Sequence, residues 1–169
     1  MGIAVLLLLL TFSFPLEALF FRQALLQRRN GCSVVDAARA VVYEARQRKA
    51  FASLRVRSRV LRTDPAGLEL WSTPAGEYWA PAGNVGHLFV LAELQTEPYN
   101  NELASVKRGD VVIDCGAYLG HFTSAALAAG AARVIAVEPG SKQVSCLRRT
   151  FAAEIAEGKV TGCDRGRLG

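Results

Sequence analysis

The run Val111-Val112-Ile113, apolar at three consecutive positions, leads straight into Asp114-Cys115-Gly116-Ala117-Tyr118-Leu119-Gly120. No other stretch restricts the fold as much. A strand that is apolar without alternation is expected to be buried on both faces, as strands of a parallel sheet are. A helix should follow, carried by Phe122, Ala125, Ala126 and Ala129 and closed by Gly130, since glycine accepts the left-handed conformation at a helix end. Arg133 to Val137 reads as a second buried strand, ending in Glu138-Pro139. Ser141, a good N-cap, then opens a helix with Val144, Leu147, Phe151 and Ile155 at helical spacing. This β-α-β-α order makes the two strands parallel neighbours through a right-handed crossover.

In such a sheet a ligand lies outside the C-terminal ends of the strands. Asp114, the loop from Gly116 to Gly120 and Glu138 all fall there. Gly116 and Gly120 allow backbone to approach a ligand with no Cβ in the way. Glu138 stands 24 residues after Asp114, near the ~20-residue interval at which an acid meets ribose hydroxyls. Asp114 discriminates among nucleotide ligands. Its charge repels the phosphates of a dinucleotide but suits S-adenosylmethionine, which carries an ammonium and a sulfonium and no pyrophosphate. The loop also lacks the central glycine of G-x-G-x-x-G, because Tyr118 occupies that place. A nicotinamide-dependent oxidoreductase therefore fits poorly.

Three pieces together, Asp114-Cys115-Gly116-Ala117, Gly120-His121-Phe122-Thr123 and Glu138-Pro139, resemble the FkbM family of methyltransferases. The resemblance covers Val111 to Val160, about a third of the chain at motif level, and the layout from Gly67 to Pro98 is similar to the region preceding the motif in that family. It implies an α/β, Rossmann-like methyltransferase sheet, S-adenosylmethionine as cofactor, and O-methyl transfer to a small-molecule or glycan-type acceptor. It also implies cofactor contacts by Asp114, Gly116, Ala117, Gly120 and Glu138, to which the neighbouring Tyr118 and Pro139 are added. Two positions depart from the family pattern: Tyr118 stands where Asn is usual, and Gly140-Ser141 replaces a more proline-rich continuation. Tyr118 is placed to stack on or crowd the methionine end. His121 adjoins the loop, but with no acid to pair with it is read as a helix-start residue facing solvent or the cofactor rim, and no residue is assigned a catalytic role.

A complete sheet of this kind has seven strands, with the first in the middle. Here Val111 onward supplies two strands and the beginning of a third at Val160, and Thr161 to Gly169 reads as coil. The sheet is thus expected to be incomplete, the chain truncated, and the strand ending at Asp114 left with an unpaired apolar edge. The alternative function is a non-catalytic cofactor-binding module that needs a partner to complete its sheet.

Upstream, Ser33 and Asp36 have the spacing of a capping box, and a helix to about Ala50 places Val34, Val35, Ala38, Val41, Val42 and Ala45 on one side. Leu54, Val56 and Val60 then alternate with Arg55, Arg57 and Arg59, a period of two that predicts a half-buried strand with a basic outer face. Asp64-Pro65-Ala66-Gly67 predicts a turn, with Leu68 to Ser72 pairing back as a hairpin. Trp71, Tyr78 and Trp79 around the turn at Pro74-Ala75-Gly76 are expected to cover a sheet, and His87 is read as structural.

Residues 3–21 are nearly all apolar and span about 28 Å as a helix, close to the ~30 Å hydrocarbon core. Arg22, Arg28 and Arg29 follow on the C-terminal side, which places the rest of the chain in the cytoplasm if this segment is an anchor. A cleaved signal peptide and a buried helix are the rival readings: Thr11-Phe12-Ser13 offers small residues at a cleavage site, although no Lys or Arg precedes the apolar core, and Pro15 and Glu17 interrupt the segment. From Arg22 to Arg62 there are 11 Lys or Arg against two acids, whereas the remainder has nine against 13. That local charge suits either an anionic membrane surface contacted through residues 1–29 or simply a solvated basic face, and without aromatic interleaving nucleic-acid binding is not expected. Cys32, Cys115, Cys146 and Cys163 lack metal or disulfide spacing. The segments expected are therefore 1–22 as anchor or signal, 23–106 as an α+β region, and 107–169 as a partial cofactor-binding domain.

Overall fold

The structure is a computed structural model that describes residues 33–96, 105–164 and 167–168. The apolar segment 1–22, and with it the anchor reading, lies outside the described residues, among which no helix is long and apolar enough to cross a membrane. The chain divides into two compact units, Met1–Arg48 and Lys49–Gly169.

Helix α1 spans Val34–Arg57. Its start is the expected reciprocal cap: the Ser33 hydroxyl donates to Asp36 Oδ2 at 2.7 Å and accepts from the Asp36 N–H at 3.1 Å. Within the first unit the apolar side of this helix is largely open, Val35 and Val42 being exposed. The helix continues to Arg57, through most of the segment where the alternation of arginines predicted a strand, and only Arg59 and Val60 of that segment lie in one. Leu54 is 1% exposed while Val56 is 87% exposed, so only one residue of the supposed inward row reaches the core. Leu and Arg are good helix formers, and the alternating charges imitated a period that the backbone does not adopt.

In the second unit, β1 (Arg59–Thr63), β2 (Leu68–Thr73) and β3 (Gly76–Pro81) form an antiparallel sheet in that order. The predicted first turn closes through Asp64, whose Oδ1 accepts the Leu68 N–H at 2.8 Å. At the second turn the Thr73 hydroxyl accepts from the Ala75 N–H and donates to the Gly76 carbonyl. Trp71, Tyr78 and Trp79 are buried in one cluster with Leu54, Leu68, Leu88, Leu91, Leu119 and Cys146, the covering role expected of the aromatics. That cluster draws on residues from both sides of position 106. The guanidinium groups of Arg62 and Arg149 stand 5.0 and 4.8 Å from the centre of the Trp79 ring, and the Trp79 N–H donates to Thr150 Oγ1.

Helix α2 (His87–Gln95) leads to the second sheet: β4 (Val111–Cys115), α3 (His121–Ala128), β5 (Arg133–Val137), α4 (Ser141–Thr150), α5 (Ala152–Ala156), β6 (Val160–Asp164) and β7 (Arg167–Leu168). The strand order is β4-β5-β6-β7, with β4 parallel to β5, β5 parallel to β6 and β7 antiparallel. The predicted β-α-β-α unit is present, and Gly130 ends α3 in the left-handed region with φ of 97°. Three details differ. Thr161 to Asp164 continue a strand rather than coil, because Val134 to Val137 offer a ladder to pair with. Gly140, not Ser141, is the N-cap of α4, and the helical run breaks at Phe151. Finally, β4 is not buried on both faces. It is an edge among the described strands, and Val111 and Ile113 are 64% and 62% exposed. An unpaired apolar edge was the expected consequence of an incomplete sheet, and no complete Rossmann sheet is present among the described residues.

Candidate functional site

At the C-terminal end of β4 lies a cleft of about 240 Å³ lined by Ile113, Asp114, Cys115, Gly116, Ala117 and Tyr118, by His121 and Phe122 from α3, and by Val90 and Leu94 from α2. The parallel ladder fixes its position. Gly116 and Ala117 both donate their N–H to the Val137 carbonyl, at 2.9 and 3.0 Å, so the chain turns off β4 against the end of β5.

Asp114 is 6% exposed. Its Oδ2 accepts the Thr123 hydroxyl at 2.6 Å, and the Thr123 backbone also bonds to it. The strand end thereby caps the first turn of α3, which has no side-chain cap of its own at Gly120. Burial holds the Asp114 carboxyl above the usual carboxylate range, the two Thr123 bonds pull it down, and the nearby Glu138 charge pushes it up. A buried carboxylate beside an open cleft favours a cationic group there, since pairing relieves the cost of its own desolvation.

The glycines of the loop differ in their surroundings. Both have φ near 80°, 83° at Gly116 and 84° at Gly120. A Cβ at Gly116 would meet nothing within 4 Å, whereas one at Gly120 would run into the Phe151 ring. Gly116 thus leaves space toward the cleft, and Gly120 is buried under α4 and does not line it. Ala117 sits in a core cluster with Ala136, Leu147, Phe151 and Val160.

Tyr118 has φ of 53°, a left-handed conformation uncommon for an aromatic residue. Two bonds hold it there. Its N–H donates to Glu138 Oε2 at 2.9 Å, and its hydroxyl accepts from Asn84 Nδ2. The other Glu138 oxygen accepts the Gly140 N–H at 2.7 Å. Glu138 therefore braces two loops and stands outside the cleft lining, and Pro139 beside it is exposed. Each carboxylate oxygen still has a second lone pair to offer.

The structure thus brings Asp114, Gly116, Ala117 and Tyr118 to one cleft and places Gly120, Glu138 and Pro139 behind or beside it. His121, expected to face solvent or the cofactor rim, lines the cleft but does not face solvent: it is 2% exposed and stacked against His87, which is fully buried. The sequence reading missed the α2 wall of Val90 and Leu94 and the Asn84 tether of Tyr118, contacts that no local spacing signals across 34 residues.

No family model matches this sequence, and no curated protein matches it. Among solved structures the chain is similar to a protein of Pyrococcus horikoshii provisionally described as an RNA methyltransferase, with a TM-score of 0.37 and 24% identity. That match covers 71% of this chain and 51% of the other, so the chain spans about half the length of that structure. A likeness this distant carries no argument about activity. The resemblance to the FkbM family accordingly rests on the motif residues.

Proposed function

We propose that the chain is a methyltransferase of S-adenosylmethionine-dependent type whose donor site is the cleft at the end of β4. The observation that carries the reading is the pairing of Asp114, buried and lining the cleft, with the open face of Gly116 beside it. The residues suit this cofactor. Asp114 would hold a cationic group of the methionine end, Gly116 would admit the ligand to the backbone, and the free lone pairs of Glu138 would accept from ribose hydroxyls. The cleft is smaller than the ~300–1,000 Å³ usual for ligand pockets, so it would hold one end of the molecule, the rest lying along the strand ends. When bound, the sulfonium supplies an activated methyl group. The contribution of this chain is then orientation and exclusion of water. O-methylation, a small-molecule or glycan-type acceptor, and association of residues 1–29 with an anionic membrane on its cytoplasmic side belong to the same proposal.

A second reading, a cofactor-binding module that accepts a partner strand, is favoured by the exposed Val111 and Ile113 edge of β4. Calorimetry of the full chain with S-adenosylmethionine and with NAD tests the donor site, and binding of S-adenosylmethionine alone is the expected result. Equal affinity for the two, or affinity unchanged in the Asp114→Asn variant, would overturn it. Methyl transfer by the isolated chain, or its absence until a partner is added, separates the enzyme from the module.

A further inference from the structure

His87 and His121 are the first residues of α2 and α3. Their rings lie 5.4 Å apart between centres and 24° from parallel. Both side chains are buried, at 0% and 2% exposure, and none of their four ring nitrogens has a hydrogen-bond partner among the described residues. Aromatic rings close the stack on either side: Trp71 meets His87 edge-on at 5.0 Å, and Tyr78 and Tyr118 meet His121 at 4.4 and 6.4 Å. Packing alone would be served as well by phenylalanine, which brings no polar atoms to desolvate.

Charge on either ring is disfavoured from several directions. Each ring sits at the N-terminal end of its helix, where the unbonded N–H groups concentrate positive potential. Each also faces the other. The titratable groups around the stack are the Tyr78 phenol from β3, the Tyr118 phenol from the loop, and Asp114 and Cys115 from β4, which share the cleft lining with His121. No ion pair to either ring is present among the described residues. Burial lowers His87 to about 4, and burial followed by the His87 charge lowers His121 to about 3.

The helices that these residues begin are the two walls of the cleft, Val90 and Leu94 on α2 and His121 and Phe122 on α3. We propose that the His87–His121 stack is a positioning pair: it fixes the first turn of α2 against the first turn of α3 and keeps the cleft walls together only while both rings are uncharged. A ring that takes a proton from solvent must be hydrated. Its nitrogens are buried, so hydration requires the ring to leave the stack and the two helix starts to part. Acid would then release whatever the cleft holds. The effect on ligand rests on the reading of the cleft as a donor site, but the opening of the helices does not.

The test follows the full chain from about pH 7.5 to about pH 4, reading histidine ring protonation by NMR and amide hydrogen exchange corrected for intrinsic rate. In the absence of ligand, exchange in the first turns of α2 and α3 should rise about tenfold or more as the rings protonate, ahead of the β2–β3 hairpin. The His87→Phe/His121→Phe variant should show a flat profile over that range, and His87→Phe alone serves if the double variant does not fold. Rings that titrate near the ordinary histidine value with no change in exchange would overturn the inference, as would the same acid-dependent opening in the phenylalanine variants, which would place its cause outside the two rings. S-adenosylmethionine affinity measured alongside keeps the two ideas apart. Failure to bind at the upper pH sinks the donor-site reading and leaves the exchange result standing, while binding with no acid-dependent opening sinks the positioning pair alone.

Discussion

Phe151, at the break between α4 and α5, fills the space that a side chain at Gly120 would need. The glycine is required twice over, by its φ of 84° and by the ring above it. Gly116, with nearly the same φ, has no such neighbour. Equal backbone conformations thus serve different ends, one closing the core over β5 and the other leaving the cleft open.

Alanine separates the two. Gly120→Ala should cost about 2–5 kcal/mol, the combined expense of overpacking and of a left-handed non-glycine residue. Gly116→Ala should cost about 1–2 kcal/mol from backbone strain alone. Ligand affinity should respond in the opposite order, with Gly116→Ala losing S-adenosylmethionine while remaining folded. Urea titration and calorimetry on the same preparations check this, and a Gly116→Ala protein that binds as the wild type would remove Gly116 from the site.

Asp114 and Glu138 should also divide between binding and bracing. Asp114→Asn retains an acceptor for the Thr123 hydroxyl and relieves a desolvated charge, so stability near neutral pH should hold or rise while S-adenosylmethionine affinity falls tenfold or more, about 1.4 kcal/mol. Glu138→Gln loses an acceptor for one of two N–H groups, those of Tyr118 and Gly140. It should cost about 1.5–3 kcal/mol, visible in the denaturation midpoint before any ligand is added.

The exposed strand edge predicts self-association. Val111 and Ile113 present apolar side chains on a strand that is an edge among the described strands, and a lysine at such a position blocks edge-to-edge pairing. Ile113→Lys should reduce concentration-dependent association in sedimentation velocity without lowering the melting temperature, because the side chain is 62% exposed and contributes little to the core. A monomeric wild type at all accessible concentrations would show the edge to be inert.

Much of the second sheet, and the first turn of the first, was legible because their signals are local. The apolar runs at Val111 and Val134, the helix stop at Gly130 and the turn at Asp64 each act within a few residues. The cap at Ser33 works the same way. What escaped depends on distance or on surroundings. Leu54 and Val56 alternate with arginines as a strand would, yet the helix carries past them because only Leu54 finds a core. Glu138 reads as a ligand carboxylate, and only the folded chain shows both its oxygens already accepting from Tyr118 and Gly140. The meeting of His87 with His121 has no signature at all, since each begins a different helix and no spacing rule connects them.

Those two histidines give the pH dependence of stability a definite sign. Unfolded imidazoles bind protons near pH 6.5, whereas the folded rings resist until about 4 for His87 and about 3 for His121. Between those limits the unfolded chain holds more protons, so stability falls as the pH drops below about 6.5, ultimately by on the order of 3–5 kcal/mol per ring. Asp114 opposes this. Its folded value is raised by burial, so the folded chain holds the extra proton and gains stability as the pH falls through the carboxylate range. The wild-type slope is the net of the two, and removing one group should expose the other. Asp114→Asn should steepen the acid loss, and His87→Phe with His121→Phe should flatten or reverse it, as read from urea midpoints across the range. A wild-type midpoint that stays level from neutral pH to about pH 4, with an Asp114→Asn midpoint equally level, would mean that the imidazoles are hydrated and the stack does not persist in solution.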